Sequence, residues 1–144
     1  MTSYQRLADD HRRIEDLTSA LASCVDSRQS QPCQAYDLLH ALTIELDEHL
    51  AFEDCALYPK LMLASGHGSV KTAAQFRVDL TILKADWTSY LSEWSSEAIA
   101  SDWSTYADET RRMLARIEAR VRAENELLYP AALQRSAISL REIG

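Results

Sequence analysis

Turn-forming residues are scarce in this chain of 144 residues, which contains only three glycines and three prolines. A sheet of many strands needs such residues at frequent tight turns, so the composition disfavours an all-β fold. Apolar residues instead recur at intervals of three and four over long stretches, which is the period of an amphipathic α-helix. The chain is therefore predicted to be all-α, and its length suits one domain with one hydrophobic core.

The helical pattern divides into four segments. The breaks between them are a polar run that ends at Pro32, the SGHGS stretch at residues 65–69, and a serine-rich joint around residues 95–101. Four long amphipathic helices with short connections are typical of an up-down-up-down antiparallel four-helix bundle. The predicted helices of this single domain, residues 1–144, cover about residues 4–25, 33–63, 70–94 and 102–133.

The charge and hydropathy of the chain exclude two classes of partner. A formal net charge of −7 disfavours nucleic acid and anionic membrane surfaces. No apolar stretch is as long as a membrane span, and no signal-peptide core is visible. The three cysteines lack CxxC spacing and indicate reduced thiols. We therefore expect a cytoplasmic protein, monomer or homodimer, that binds neither nucleic acid nor membrane; a protein partner stays open.

Histidines and charged residues interrupt the apolar stripes of three predicted helices. They are His11 on the first helix, His49 and Glu53 on the second, and Arg120 and Glu124 on the fourth. An unpaired charge in a core is strongly destabilising, so such residues need partners or a metal. His49 and Glu53 are four residues apart and share one helical face. Two imidazoles and a carboxylate with open positions suit non-heme iron(II) or catalytic zinc.

A short sequence repeat ends both predicted helical pairs. HLAFEDCALYP, which begins at His49, aligns without a gap with RVRAENELLYP, which begins at Arg120. Glu53 matches Glu124, and Leu-Tyr-Pro ends both copies. Proline bends or ends a helix, so the repeat predicts similar helix ends in both halves. The two tyrosines are expected to pack with their hydroxyls at the edge of the core, where a hydrogen bond to a glutamate is conceivable.

His11, followed by His49-x-x-x-Glu53 and Leu-Tyr-Pro, resembles the hemerythrin-like (HHE cation-binding) domains. The resemblance includes Glu124 and the second Leu-Tyr-Pro, ending at Pro130, and so covers nearly the whole chain. It implies a four-helix bundle around a non-heme iron centre, usually of two irons. Such proteins bind oxygen, sense oxygen, nitric oxide or iron, or handle iron. By the family's pattern, the two glutamates bridge the two metals.

The chain departs from this family pattern in its second half. No histidine follows His67, whereas the family has histidines on its third helix and one turn before the carboxylate of its fourth. Arg120 stands at that fourth-helix position, and the best-placed residues on the third helix are Ala73 and Arg77. One iron is therefore expected to keep its ligands while the other loses them. The ligands implied for the remaining iron are His11, His49, Glu53 and Glu124.

Arginine has no lone pair to give, so Arg120 cannot bind a metal. If Arg77 and Arg120 both point inward, their two charges stand beside Glu53 and Glu124 in place of one divalent cation. The same charges balance without any ion, so two hypotheses stay open.

The first hypothesis is a single-metal protein, holding iron or else zinc, that senses or handles oxygen, nitric oxide or iron. Its partners are then the metal ion and a small diatomic ligand. The second is a metal-free bundle that regulates a protein partner, with arginine–glutamate pairs in place of the metals. No catalytic constellation is visible beyond the open metal positions, so the chain is not expected to be an enzyme.

Overall fold

The bundle predicted from the sequence is present in a computed structural model that describes residues 3–63, 67–134 and 136–141, with the backbone alone at 62–63 and 67–72. Four long helical rods run up-down-up-down, and the first packs against the second and the fourth. The helices are α1 (Tyr4–Asp26), α2 (Pro32–Phe52), α3 (Tyr58–Leu63), α4 (His67–Glu93), α5 (Ser96–Ser101), α6 (Trp103–Ala123) and α7 (Tyr129–Gln134).

Two wider turns of π-helical geometry join α2 to α3 and α6 to α7, so that each pair forms one continuous rod. The first π turn is Glu53–Leu57 and the second is Glu124–Leu128. In each, the N–H of the tyrosine that follows donates to the carbonyl of the glutamate that begins the turn. A proline comes next, and it can start the new helix because its missing N–H is not needed there.

Side-chain caps explain where several helices begin. The Ser3 hydroxyl accepts a hydrogen bond from the Arg6 backbone N–H at 3.1 Å, and Ser95 and Asp102 cap α5 and α6 in the same way. The serine-rich joint is therefore mostly a short helix and not the simple connection that was predicted. α4 begins at His67, so the second part of the predicted SGHGS turn is helical, while residues 64–66 lie outside the described ranges.

Two hydrophobic clusters form the core. The larger contains Ile14, Leu42 and Trp87, and the smaller contains Leu7 and Leu57, all nearly or fully buried. Burial of each large aliphatic side chain contributes about 1.5–3 kcal/mol. Along α1 the two clusters are separated by a buried polar residue, and the same is true of α2 and of the rod formed by α6, the second π turn and α7. The apolar core thus encloses a polar layer at the middle of the bundle.

The segment after α7 is tied to the start of the chain. Ala137 and Ile138 are buried in the smaller cluster, and the Tyr4 N–H donates to the Ser139 carbonyl at 2.6 Å. This segment therefore packs on the smaller cluster beside the start of α1. Among the described residues, no helix combines the length and apolar character needed to span a membrane.

Candidate metal centre

Four side chains named from the sequence meet in the polar layer. His11 comes from α1, His49 from α2, and Glu53 and Glu124 are the first residues of the two π turns. Each is at most 3% exposed. Each offers one ligand atom, and these atoms all lie within 4.8 Å of one another. We call this cluster the histidine site.

The donor atoms of the histidine site are spaced as ligands around one ion. His11 Nε2 lies 3.1 Å from His49 Nε2 and 2.9 Å from Glu124 Oε1. His49 Nε2 lies 2.6 Å from Glu53 Oε1 and 3.5 Å from Glu124 Oε1. Neighbouring ligand atoms bound about 2.1 Å from a metal are about 3.0 to 3.4 Å apart, depending on the coordination angle. The donor set and its spacing therefore fit a metal ion.

Hydrogen bonds on the far side of each imidazole fix which nitrogen faces the site. His11 Nδ1 donates to Asn125 Oδ1 at 2.8 Å, and His49 Nδ1 donates to Asp10 Oδ2 at 3.2 Å. Because both acceptors take the Nδ1 hydrogen, the lone pair of each neutral ring is on Nε2, which points into the site. Partners of this kind orient metal-binding histidines in many metalloproteins.

The two tyrosines of the Leu-Tyr-Pro repeats lie inside the polar layer, so their predicted place at the edge of the core is wrong. Tyr58 and Tyr129 are both 0% exposed. The Tyr129 hydroxyl is within hydrogen-bonding distance of all four donor atoms of the histidine site. The Tyr58 hydroxyl instead accepts a hydrogen bond from Arg120 Nη2. Each tyrosine therefore contributes a polar group to the layer.

Arg120 points inward, as predicted, and its guanidinium is hydrogen-bonded through each of its nitrogens. Nε donates to Glu124 Oε2 at 2.8 Å, Nη1 donates to the Phe76 carbonyl at 2.8 Å, and Nη2 donates to Tyr58. Nη2 also lies 3.9 Å from Glu53 Oε2, which has no hydrogen-bond partner. The guanidinium packs over the Phe76 ring. We call Arg120, Tyr58 and Phe76 the arginine site.

Arg77 does not take part in the arginine site, and its predicted inward position is wrong. Its side chain is exposed, whereas its neighbour Phe76 is buried. The inward stripe of α4 passes through Ala73, Phe76 and Leu80. Adjacent residues on a helix are separated by about 100°, so Arg77 falls outside that stripe.

Arginine consequently balances only one of the two negative charges of the buried glutamates. Among the described residues, Glu53 and Glu124 form ion pairs with one arginine, Arg120, and with the two site histidines. With neutral histidines, one negative charge remains uncompensated in a buried layer, which is strongly unfavourable. A cation at the histidine site would offset this negative charge.

The pKa shifts of the cluster also indicate an excess of negative charge. Burial and the charge of Glu124 raise the pKa of Glu53 to about 8. Burial alone would lower the pKa of His49, but hydrogen bonds to neighbouring carboxylates raise it to about 12. Burial also favours neutral Glu124, yet hydrogen bonds with His11 and His49 in the metal-free cluster, where a ring can carry a second proton, hold its pKa well below the ordinary value. Without a metal, the cluster retains an additional proton.

Two contributors to this layer, Asp10 and Asn125, were missed at the level of sequence, and the contact of Tyr129 with the glutamates was named only as conceivable. Asp10 and Asn125 are sequence neighbours of His11 and Glu124, but only the packing of α1 against its partners shows which ring each one contacts. Tyr129 is five residues after Glu124, a spacing that places two residues of a regular helix about 140° apart. In the sequence, the proline after each tyrosine is the one feature that could have indicated an irregular turn at this point.

One comparison with known proteins gives a match. The sequence model of the hemerythrin HHE cation binding domain matches residues 2–132. A search of curated proteins and a search of solved structures found no match.

Proposed function

Because the chain belongs to the family of hemerythrin HHE cation-binding domains, we propose that it holds one metal ion per chain, a non-heme iron, at the histidine site. The observation that carries this proposal is the imbalance of donors and acceptors in the site. Two Nε2 lone pairs and two carboxylate oxygens face one another, and the Tyr129 hydroxyl supplies the one hydrogen of a neutral phenol. A metal ion satisfies all four acceptors together.

The arginine site supports a single metal instead of a pair. Arg120 fills the space beside Glu53 and Glu124 where the family resemblance places a second metal, and a guanidinium cannot act as a ligand. Ala73 and Phe76, which face the layer from α4, have no ligand atom in their side chains. With one metal, the paired-iron form of oxygen carriage is not expected.

Iron suits the proposed role better than zinc. A set of two histidines with carboxylates and open positions is typical of non-heme iron(II). When bound, ferrous iron would supply an open coordination position and a redox-active centre for nitric oxide or oxygen. We propose that the protein senses or handles such a diatomic molecule, or iron itself, and does not perform catalytic turnover.

A small cavity beside the site supports a diatomic ligand. It has a volume of about 20 Å³ and is lined by His49, Arg120 and Glu124 together with seven apolar side chains that include Leu46 and Trp87. A cavity needs roughly 10–15 Å³ to hold one water molecule, so this one suits a ligand of one or two heavy atoms. Its mostly apolar walls favour an uncharged gas molecule over water.

The metal-free regulatory bundle is the less favoured alternative. That hypothesis relied on two inward arginines to balance two glutamates, and Arg77 is exposed. It now requires a retained proton in the polar layer. A protein partner for the acidic surface stays a prediction.

The proposed function is tested by adding nitric oxide to anaerobic, iron(II)-loaded protein and recording the electron paramagnetic resonance spectrum. We expect a new iron signal that saturates at one nitric oxide per chain. His49→Ala should abolish the signal, and His40→Ala, a change at an exposed position of the same helix, should retain it. An iron-loaded protein with an unchanged spectrum would contradict the proposed role.

A further inference from the structure

The Tyr129 hydroxyl lies within hydrogen-bonding distance of all four donor atoms of the histidine site. Its hydroxyl oxygen lies 2.9 Å from His11 Nε2 and 3.3 Å from His49 Nε2. The same oxygen lies 3.0 Å from Glu53 Oε1 and 3.2 Å from Glu124 Oε1. These distances match those among the four donor atoms themselves. The phenol oxygen is therefore placed as one more member of the same donor set.

The second π turn is what brings this hydroxyl to the site. The Tyr129 N–H donates to the Glu124 carbonyl, five residues earlier, instead of following the regular helical pattern. The wider turn allows Glu124 and Tyr129 to face the same point. Stacking of the Tyr129 ring on the His11 ring, with centroids 5.0 Å apart, holds the phenol in this orientation. Turns of this type are frequent at functional sites.

A neutral phenol cannot satisfy the groups around it. It has one hydrogen, which it can donate to Glu53 or to Glu124 but not to both, and its oxygen also faces two imidazole lone pairs. A divalent ion at the histidine site together with a neutral phenol would leave the layer with one excess positive charge. A phenolate removes that excess, because three negative oxygens then face the ion and the Arg120 guanidinium, which carry three positive charges.

We infer that Tyr129 is a fifth ligand of the metal and binds it as a phenolate; the inference rests on the proposed single-metal site. Without an ion, burial and the charges of Glu124 and Glu53 hold the pKa of Tyr129 well above its ordinary value. The O–H bond therefore breaks only as the oxygen–metal bond forms, and the proton leaves to solvent. The chain thereby presents two nitrogens, two carboxylates and one phenolate to one ion. Phenolate is a hard, anionic donor that stabilises ferric iron over ferrous iron, so Tyr129 would also favour the oxidised state of the site.

Tyr58 provides a matched control within the same molecule. It is the residue equivalent to Tyr129 in the sequence repeat, and it is equally buried. Its hydroxyl accepts from the Arg120 guanidinium in the arginine site. The two substitutions Tyr129→Phe and Tyr58→Phe each remove one buried hydroxyl, and only the first touches the histidine site.

The experiment loads the full chain with iron(II) without oxygen, oxidises it with ferricyanide, and records visible absorption and resonance Raman spectra. We expect a phenolate-to-iron charge-transfer band, with enhanced tyrosine ring vibrations on excitation into it. Tyr129→Phe should lose both signals and bind iron at least about tenfold more weakly. Tyr58→Phe should retain both.

The possible outcomes distinguish the ligand role of Tyr129 from the proposed single-metal site. One ferric ion per chain without the tyrosine vibrations would overturn the ligand role of Tyr129 and leave the single-metal site intact. Failure to bind any metal would overturn both. If Tyr129→Phe does not fold, the Raman spectrum of the unaltered protein decides the question alone.

Discussion

The two halves of the sequence repeat build two unlike sites from matching positions. His49 and Arg120 align in the repeat, as do Tyr58 and Tyr129, and each half contributes one buried glutamate. At the histidine site the aligned residue presents a lone pair to the glutamates. At the arginine site it presents three hydrogen-bond donors. The first arrangement needs a cation, and the second already contains one.

This difference shows how one half of a metal centre can be replaced without unfolding the bundle. A guanidinium supplies positive charge and fixed hydrogen bonds to Glu124 and Tyr58, but it carries one charge where a divalent metal carries two. The remaining negative charge is shared by the two glutamates, which lie between the sites. Compared with a second divalent metal, the guanidinium therefore leaves one more negative charge to be balanced by a cation at the histidine site.

The largest expected effect comes from removing the cation of the arginine site. Arg120→Met keeps most of the side-chain volume but leaves Glu53 and Glu124 without their guanidinium, which should lower the free energy of unfolding by about 3–5 kcal/mol. Urea unfolding of metal-free protein measures the loss. Arg77→Met, an exposed change on α4, should cost less than about 0.5 kcal/mol. Equal losses in the two variants would contradict the placement of these arginines.

Loss of a ligand at the histidine site should have the next largest effect. His49→Ala removes one of the two imidazole donors, and we expect metal affinity to fall by at least about a hundredfold, or about 2.7 kcal/mol. Equilibrium dialysis against iron(II) measures this change. His40→Ala should bind as the unaltered protein does, since that residue is exposed. A normal affinity in His49→Ala would show that the metal binds elsewhere.

A smaller effect is expected from the group that orients His49. In Asp10→Asn, the side-chain amide can donate to Nδ1, which would move the ring hydrogen to Nε2 and block the lone pair that faces the site. Metal affinity should fall about 10- to 100-fold. Asp9→Asn is the control, because Asp9 pairs with the exposed Arg12. Similar behaviour of the two variants would argue against a fixed tautomer at His49.

The smallest effect on stability should come from removal of the Tyr58 hydroxyl from the arginine site. Tyr58→Phe removes one hydrogen bond to Arg120 and should destabilise the protein by about 1–2 kcal/mol. Its metal affinity should not change. A loss of metal together with the hydroxyl would mean that the arginine site takes part in metal binding and that the two sites are not distinct.

The sequence predicts the bundle, and it places four site residues on faces that the structure brings together, because both depend on helical period and residue type. His11, His49, Glu53 and Glu124 lie on stripes that four packed helices must turn inward. Arg77 was placed wrongly because a step of four from Ala73 reaches it, whereas the buried stripe takes a step of three to Phe76.

The role of the tyrosines could not be predicted from a regular helical period. Each one follows a π turn, which changes the direction of every later side chain in its rod. The contacts of Asp10 and Asn125 with the imidazoles likewise depend on how deeply α1 lies against α2 and α6. Such distances between helices are set by packing and have no signature in the sequence of either helix.

The number of metal ions per chain tests the central claim most directly. Protein expressed with iron and zinc supplied, and purified without oxygen, is analysed for its elemental content against the concentration of chains. The unlike sites described above predict one metal ion per chain. Two ions per chain would contradict the assignment of Arg120 as the replacement of a metal, and none in a folded protein would mean that a retained proton balances the glutamates.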